Sequence, residues 1–147
     1  MNSKTFISKG GWFSFTLPVD WEEYDDGEEG TSAFFNSKSW SGNLRITPIR
    51  LENIADPTED NAAKFIKERL ANNKQAVKLK LGEWDCVHYK QEVSEVDQPF
   101  VLYYWETGKM DSIVICSFAI NKKRDGSRAN RAELILVQKM IRSITIN

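Results

Sequence analysis

Several residue types and motifs on which enzymes depend are scarce or absent in this chain. Its 147 residues include one histidine, His88, and two cysteines, Cys86 and Cys116. It contains no Gly-x-Ser-x-Gly elbow, no phosphate-binding glycine loop, no Gly-x-Gly-x-x-Gly turn and no His-Glu-x-x-His motif. A Ser-His-acid triad would need the single histidine and would lack the elbow that presents the serine. The sequence therefore predicts a protein that is not an enzyme and uses no cofactor.

Long apolar runs are also missing. No stretch approaches the roughly 18 apolar residues of a membrane helix, and residues 1–10 lack the apolar run of a signal peptide. We therefore expect a cytoplasmic protein with no membrane partner. In a reducing compartment, Cys86 and Cys116 are expected to be unbridged, mostly buried thiols without a metal.

The composition is that of one globular domain spanning residues 1–147. Hydrophobic residues make up 41% of the chain and charged residues 28%, a mixture that disordered chains lack. There is no repeat, low-complexity tract or linker. The formal net charge of -1 argues against nucleic acid as a partner, because nucleic-acid-binding domains usually carry a basic excess.

Hydrophobic periodicity predicts two helices and a series of strands. Helices are expected over 57–73 and 128–142, and Asp56, Pro57 and Glu59 resemble the cap, first turn and capping box of the first helix. Strands are expected over 13–17, 31–36, 43–51, 77–81, 84–93, 100–107 and 112–120, and a short strand over 143–147. Short connections favour antiparallel pairing, so the predicted class is α+β: a single antiparallel sheet with helices packed on it, in the order ββ(β)-α-ββββ-α.

Two predicted strands carry positional signals. Residues 112–120 are apolar on both faces, which indicates a central strand that is covered on both sides. Pro48 lacks a backbone N–H, so its strand is expected at a sheet edge or with a bulge.

Cys86 and His88 lie two residues apart and therefore share one face of a strand. With Cys116 they are compatible with a three-ligand zinc site, and Cys86 with a nucleophile that uses His88 as its base. Burial of the cysteines as small apolar side chains is the simpler interpretation and the one favoured here.

The segment from Asp20 to Gly30 is acidic and rich in glycine, which predicts a loop. A calcium-binding EF-hand register fails, because it places Tyr24 or Gly27 at the third ligand position. Clustered carboxylates attract oppositely charged partners, so a surface for a basic protein is an alternative to a simple solvated loop.

Tryptophans in polar segments are informative because an exposed indole costs free energy unless it packs back or meets a partner. Trp21 opens the acidic segment, and Trp40 lies in a polar stretch read as a loop. We predict a partner-binding surface formed by residues of these two segments: Trp21, Tyr24, Asp25, Asp26, Trp40 and Asn43. In the alternative, both indoles are plugs that fill the edge of the core.

The run Gly11-Trp-Phe-Ser-Phe-Thr-Leu-Pro-Val-Asp-Trp21 resembles the opening of PsbP-like domains, a group that includes the Ran-GTPase release factor and uncharacterised bacterial families. The matching positions are Phe13, Phe15, Pro18 and Trp21. The final segment, residues 137–146, is similar to the helix and short strand that end such domains. The resemblance implies an α/β/α sandwich, with helices on both faces of an antiparallel sheet. It also implies a non-enzymatic role, as in binding partners, assembly factors and secretion chaperones, and it carries no functional residue with it.

The sequence thus favours a cytoplasmic protein-binding module, such as a chaperone, adaptor or immunity-like partner. The alternative is a small-ligand-binding domain with a pocket between sheet and helix. An enzyme that depends on Cys86 and His88 is the third and weakest hypothesis.

Overall fold

The computed structural model describes residues 2–39, 41–52, 54–82 and 84–147, which form ten strands and two α-helices. The strands are β1 (Ser3–Ile7), β2 (Phe13–Pro18), β3 (Trp21–Tyr24), β4 (Ser32–Asn36), β5 (Gly42–Arg50), β6 (Val77–Leu81), β7 (Trp84–Val93), β8 (Phe100–Lys109), β9 (Ser112–Asn121) and β10 (Thr145–Ile146). Helix α1 (Asn61–Asn72) lies between β5 and β6, and α2 (Arg128–Arg142) lies between β9 and β10. The predicted α+β class is confirmed.

Seven strands form one large antiparallel sheet in the order β3-β4-β5-β9-β8-β7-β6. Strands β6, β7, β8 and β9 pair with their sequence neighbours, as short connections require. Strand β9 is the middle strand, as its apolar sequence predicted. Val114 and Cys116 are buried on one of its faces, and Ile113 is buried on the other.

Strand β5 lies inside this sheet and is not an edge strand, but Pro48 lies at a point where the strand has a neighbour on one side only. Its proline is accommodated because β4 is short. The pairing with β4 ends at Ile46, while the pairing with β9 continues through Pro48 to Arg50. Pro48 is therefore flanked by one strand only, where a missing N–H costs little.

A second sheet of three strands, in the order β1-β2-β10, corrects the expectation of a single sheet. Strand β2 pairs with β1 on one side and with β10 on the other. Strand β1 was not predicted, because Phe6 is its only residue that is even half-buried and its pattern shows no alternation. The alternating residues Phe13, Phe15 and Leu17 are buried and turn toward the large sheet.

Helix α2 has the predicted bounds, but α1 begins four residues later than expected. The carboxylate of Asp60, not that of Asp56, accepts the capping hydrogen bond, from the N–H of Ala63 at 3.0 Å. Asp56 instead accepts hydrogen bonds from the N–H and hydroxyl of Thr58, at 2.9 and 2.6 Å, and so closes a separate turn.

The two helices pack on opposite faces of the large sheet. Arg69 of α1 donates two hydrogen bonds, of 2.7 and 2.8 Å, to the carboxylate of Glu106 in β8. Gln138 of α2 accepts a 3.3 Å hydrogen bond from the indole of Trp105, the preceding residue of the same strand. Successive side chains of a strand point to opposite faces, so the large sheet separates the helices. Neither helix of the described chain combines the length and apolar character needed to cross a membrane.

The main core lies on the α2 side of the large sheet and is closed by the small sheet. It joins side chains of both sheets and of α2, among them Phe13, Phe15, Phe34, Phe118, Val137 and Ile141, all at most 2% exposed. The second sheet and α2 therefore share the burial of one continuous apolar cluster.

Candidate functional site

The acidic segment begins as a strand rather than as the predicted loop. Residues 21–24 form β3, which pairs with β4 so that Trp21 lies opposite Asn36 and Tyr24 opposite Ala33. Strand β3 has the sequence Trp-Glu-Glu-Tyr, in which apolar and polar residues do not alternate. The sequence pattern therefore does not indicate a strand here, and only the pairing with β4 identifies it. Strand β3 is one edge of the large sheet.

Trp21 is a core residue, and the expectation of an exposed loop indole at this position is wrong. Its side chain is 1% exposed, and its ring packs 6.3 Å from that of Phe118 in β9, centroid to centroid. Trp21 is therefore the plug of the alternative interpretation, and a partner cannot use it as a surface anchor. Trp40, the other predicted anchor, lies outside the described residues.

Three other predicted site residues meet on the sheet face opposite Trp21. Tyr24 pairs with Ala33 of β4, and Asn43 pairs with Phe35 of the same strand. Ala33 and Phe35 are two residues apart and share one face of the sheet, so Tyr24 and Asn43 lie on that face as well. The tyrosine packs edge-on against Phe35, with ring centroids 5.6 Å apart. Burial is the main cause that raises the pKa of its hydroxyl.

Asp26 reaches the same face through an ion pair that the sequence did not suggest. Its carboxylate accepts a 2.7 Å hydrogen bond from the Nε–H of Arg45. This bond is the main cause that lowers the pKa of Asp26 and raises that of Arg45. Alternation along β5 does place Arg45 on the face opposite Leu44 and Ile46, but a partner 19 residues away leaves no signal in the sequence.

The turn after β3 concentrates negative charge in solvent. Asp25 and Asp26 accept hydrogen bonds from the N–H groups of Gly27 and Glu28 at 2.8 and 3.0 Å, which fixes the turn locally. Five carboxylates of β3 and this turn are exposed, and none has a basic partner within 4 Å among the residues that the structure describes: Glu22, Glu23, Asp25, Glu28 and Glu29. We call these five residues the acidic edge.

The thiol chemistry considered from the sequence finds little support in the geometry. Cys86 and Cys116 are completely buried, as predicted, and both are free cysteines in the structure. Burial raises the pKa of Cys86 to about 12, so its nucleophilic thiolate is scarce at neutral pH. The ring of His88 stacks on Trp105 with centroids 4.8 Å apart and hydrogen-bonds the carbonyl of Tyr104, not a thiol. Nowhere in ranges 2–39, 41–52, 54–82 and 84–147 do three potential metal ligands gather.

Comparison with known proteins finds relatives of unassigned role. A family profile described as a domain of unknown function (DUF3805) matches residues 1–146. A crystal structure from Bacteroides thetaiotaomicron VPI-5482 is similar, with 31% sequence identity and a TM-score of 0.78. That match covers 100% of this chain and 49% of the other, so this chain spans about half the length of that protein.

More distant structures share the fold. LpqN, described as involved in cell envelope biogenesis of Mycobacterium tuberculosis, is 11% identical with a TM-score of 0.56; the match covers 92% of this chain and 83% of LpqN. PsbP (CyanoP) from Synechocystis sp. PCC 6803 is 10% identical with a TM-score of 0.47; the match covers 99% of this chain and 92% of PsbP. No curated protein matches. The predicted likeness to uncharacterised bacterial domains is confirmed, and PsbP is among the structures that this chain resembles.

Proposed function

This chain belongs to the family described as a domain of unknown function (DUF3805), and we propose that it is a non-enzymatic protein-binding module whose acidic edge receives a basic partner. The supporting observation is the set of five exposed carboxylates, gathered on an edge strand and the turn that follows it, which have no basic partner within 4 Å in the part of the chain that the structure describes. Concentrated charge of one sign speeds encounter with an oppositely charged protein and excludes partners of like charge.

Tyr24 is the aromatic contact residue in this proposal, now that Trp21 belongs to the core. It is half-buried beside the acidic edge and lies on the same sheet face as Asn43. Asp26 has a supporting role, because its carboxylate is held by Arg45 and is not free to attract a partner. The partner-binding surface therefore comprises the acidic edge, Tyr24 and Asn43.

The non-enzymatic part of the proposal is supported by the state of the groups that chemistry would need. Both thiols are buried and held protonated, and His88 uses one ring nitrogen on a backbone carbonyl. A cytoplasmic adaptor, chaperone or immunity-like role suits such a module. Small-ligand binding is the second candidate, since a cleft of about 370 Å³ lies between the large sheet and α2.

The test compares two triple variants with the same change in charge. Glu22→Gln/Glu28→Gln/Glu29→Gln neutralises part of the acidic edge, and Glu68→Gln/Glu95→Gln/Asp97→Asn neutralises three exposed carboxylates elsewhere. Tagged wild-type and variant proteins are used to capture partners from the native host, which are identified by mass spectrometry. We expect one basic protein to be retained by wild type and the remote variant and lost from the acidic-edge variant.

Association kinetics with the captured protein then decide between specific and diffuse attraction. The acidic-edge variant should associate about tenfold more slowly at low salt, because partner steering depends on local charge. Its rate should also depend less on salt concentration. Equal losses in both triple variants, or no loss in either, would contradict the proposal.

A further inference from the structure

A half-open cleft lies on the α2 side of the large sheet, away from the acidic edge. His88 of β7 and Tyr103 and Trp105 of β8 form its sheet side, and Ile135, Lys139 and Arg142 of α2 form its helix side. Its volume is about 370 Å³, enough for a small organic molecule. Tyr103, 9% exposed, forms an aromatic floor, and Trp105, 1% exposed, packs behind it.

His88 presents one nitrogen that no described residue uses. Its Nδ1 lies 2.8 Å from the carbonyl oxygen of Tyr104. A carbonyl only accepts, so Nδ1 carries the proton and Nε2 holds the lone pair. The ring stacks on Trp105 at an interplanar angle of 23° and a centroid distance of 4.8 Å, which fixes its orientation beside the cleft. Burial lowers the pKa of His88 and keeps the free ring neutral.

The helix side of the cleft supplies positive charge. Lys139 and Arg142 lie in the last turn of α2, and neither has an acidic partner within 4 Å among the residues the structure describes. Lys90, the other cation near the floor, is instead paired with Asp125. Judged on the described residues, the cleft thus combines an aromatic floor, two unpaired cations and one free imidazole nitrogen.

We propose that this cleft binds a small aromatic carboxylate, with its ring on the aromatic floor and its carboxylate between His88 and the two cations of α2. An aromatic ring gains contact energy against Tyr103 beyond simple burial. Arginine and lysine both bind carboxylates through charge-assisted hydrogen bonds. The bound carboxylate also favours uptake of a solvent proton by Nε2, because the imidazolium then donates a hydrogen bond to it.

The charged and titratable groups around His88 differ in their effect on protonation of its Nε2. Lys139 and Arg142 of α2 disfavour the imidazolium until a carboxylate neutralises their field. The hydroxyl of Tyr103 in β8 donates a hydrogen bond to the carboxylate of Asp125, and Lys90 of β7 forms an ion pair with the same carboxylate. Strand β6 contributes the uncharged Val77 opposite His88. Binding of the ligand carboxylate therefore shifts the protonation equilibrium of His88 toward the imidazolium.

The test uses 2-naphthoate as the probe and 2-naphthalenemethanol as its uncharged counterpart. Since the chain has one histidine, its ring C–H signals in NMR spectra report on this cleft without ambiguity. We expect 2-naphthoate to shift these signals saturably and to move the titration of His88 to higher pH. The alcohol should bind at least about tenfold more weakly, as loss of a charged contact implies.

Matched charge variants locate the binding. Lys139→Gln/Arg142→Gln should weaken 2-naphthoate binding roughly five- to tenfold, as two exposed ionic contacts imply. Arg128→Gln/Arg131→Gln removes two exposed cations from the other end of the same helix and should leave binding unchanged. All four side chains are exposed, so folding should be preserved. No saturable shift, equal binding of the alcohol, or equal weakening in both double variants would overturn the proposal.

Discussion

His88 is the only side chain of this protein whose ordinary pKa lies near neutral pH. In the folded protein, burial lowers that pKa, and the contact with the carbonyl of Tyr104 only partly opposes the effect. The unfolded chain therefore binds more protons than the folded protein just below the unfolded pKa of about 6.5. The neutral ring contributes its full stability above that pH, and the contribution falls as the pH drops through the folded pKa.

This residue yields a prediction for the pH dependence of stability. As pH falls from about 6.5 to 5, the free energy of unfolding of wild type should fall more than that of His88→Gln, which cannot take up the proton. Urea unfolding at several pH values measures the difference. The acidic groups with lowered pKa values, such as Asp26 and Asp56, act below their ordinary value of 3.8. Burial raises the pKa of Glu133, but this group is common to both proteins and so does not affect the difference between them. Parallel pH profiles for the two proteins would contradict the assignment.

The contrast between Trp21 and Tyr24 shows what a sequence can and cannot resolve at this scale. The aromatic character of both residues was evident, and burial of the cysteines followed from their chemistry. Which ring enters the core depends on how β3 pairs with β4, and four residues with two central glutamates carry no period-2 pattern. The ion pair of Asp26 with Arg45 and the stack of His88 on Trp105 depend on such pairing too.

The start of helix α1 is fixed by a contact with the sheet as well as by a local cap. The carboxylate of Asp60 accepts hydrogen bonds from the N–H of Ala63 at 3.0 Å and from the N–H of Met110, in the β8–β9 turn, at 2.9 Å. The N–H of Ala62 in turn donates to the carbonyl of Met110 at 2.7 Å. One carboxylate therefore both caps the helix and attaches it to the large sheet.

Two alanine variants separate this cap from the one that the sequence suggested. Asp60→Ala should lower the free energy of unfolding by about 1–2 kcal/mol, because two backbone N–H groups lose their acceptor. Asp56→Ala should change it by less than about 0.5 kcal/mol, because that carboxylate serves only an exposed turn. Chemical denaturation measures both. A larger effect at Asp56 would restore the earlier helix start.

Helix and strand periodicity were sufficient for most elements. The bounds of α2, β6 and β7 match their predictions. A regular apolar period marks α2 and β6, whereas β7 has none. For α1, Asp56 and Pro57 imitate a helix start, and the contact with Met110 that selects Asp60 is distant in sequence. Strand β1 escaped prediction because an exposed edge strand needs no apolar alternation.

At the scale of the whole molecule, the two ends of the described chain meet in the small sheet. Strands β1 and β10 flank β2, and Asn147 donates hydrogen bonds of 2.9 and 2.7 Å to the carbonyls of Trp12 and Gly11. Phe6 and Phe15 of this sheet each pack edge-on against Phe34 of the large sheet, with centroids 4.9 and 5.1 Å apart. The alternating aromatic residues of β2 predicted a strand. Its place in the small sheet, however, depends on pairing with β1 and β10, which are far from each other in sequence.

This arrangement predicts that both sheets unfold as one cooperative unit. Ile146 of β10 is 4% exposed and Ile7 of β1 is 67% exposed, so the pair provides a buried site and a matched exposed control within one sheet. Ile146→Ala should lower the free energy of unfolding by about 2–5 kcal/mol through lost burial and a residual cavity. Ile7→Ala should change it by less than about 0.5 kcal/mol.

Urea unfolding followed by far-ultraviolet circular dichroism and by tryptophan fluorescence checks the cooperativity as well as the magnitude. Trp21 and Trp105 lie in the large sheet, far along the chain from Ile146, so a local loss of the small sheet would leave much of their signal in place. Coincident transitions that shift together in Ile146→Ala are expected, because the aromatic cluster around Phe34 belongs to both sheets. Separate transitions would mean that the small sheet detaches independently and that the shared core does not couple the sheets.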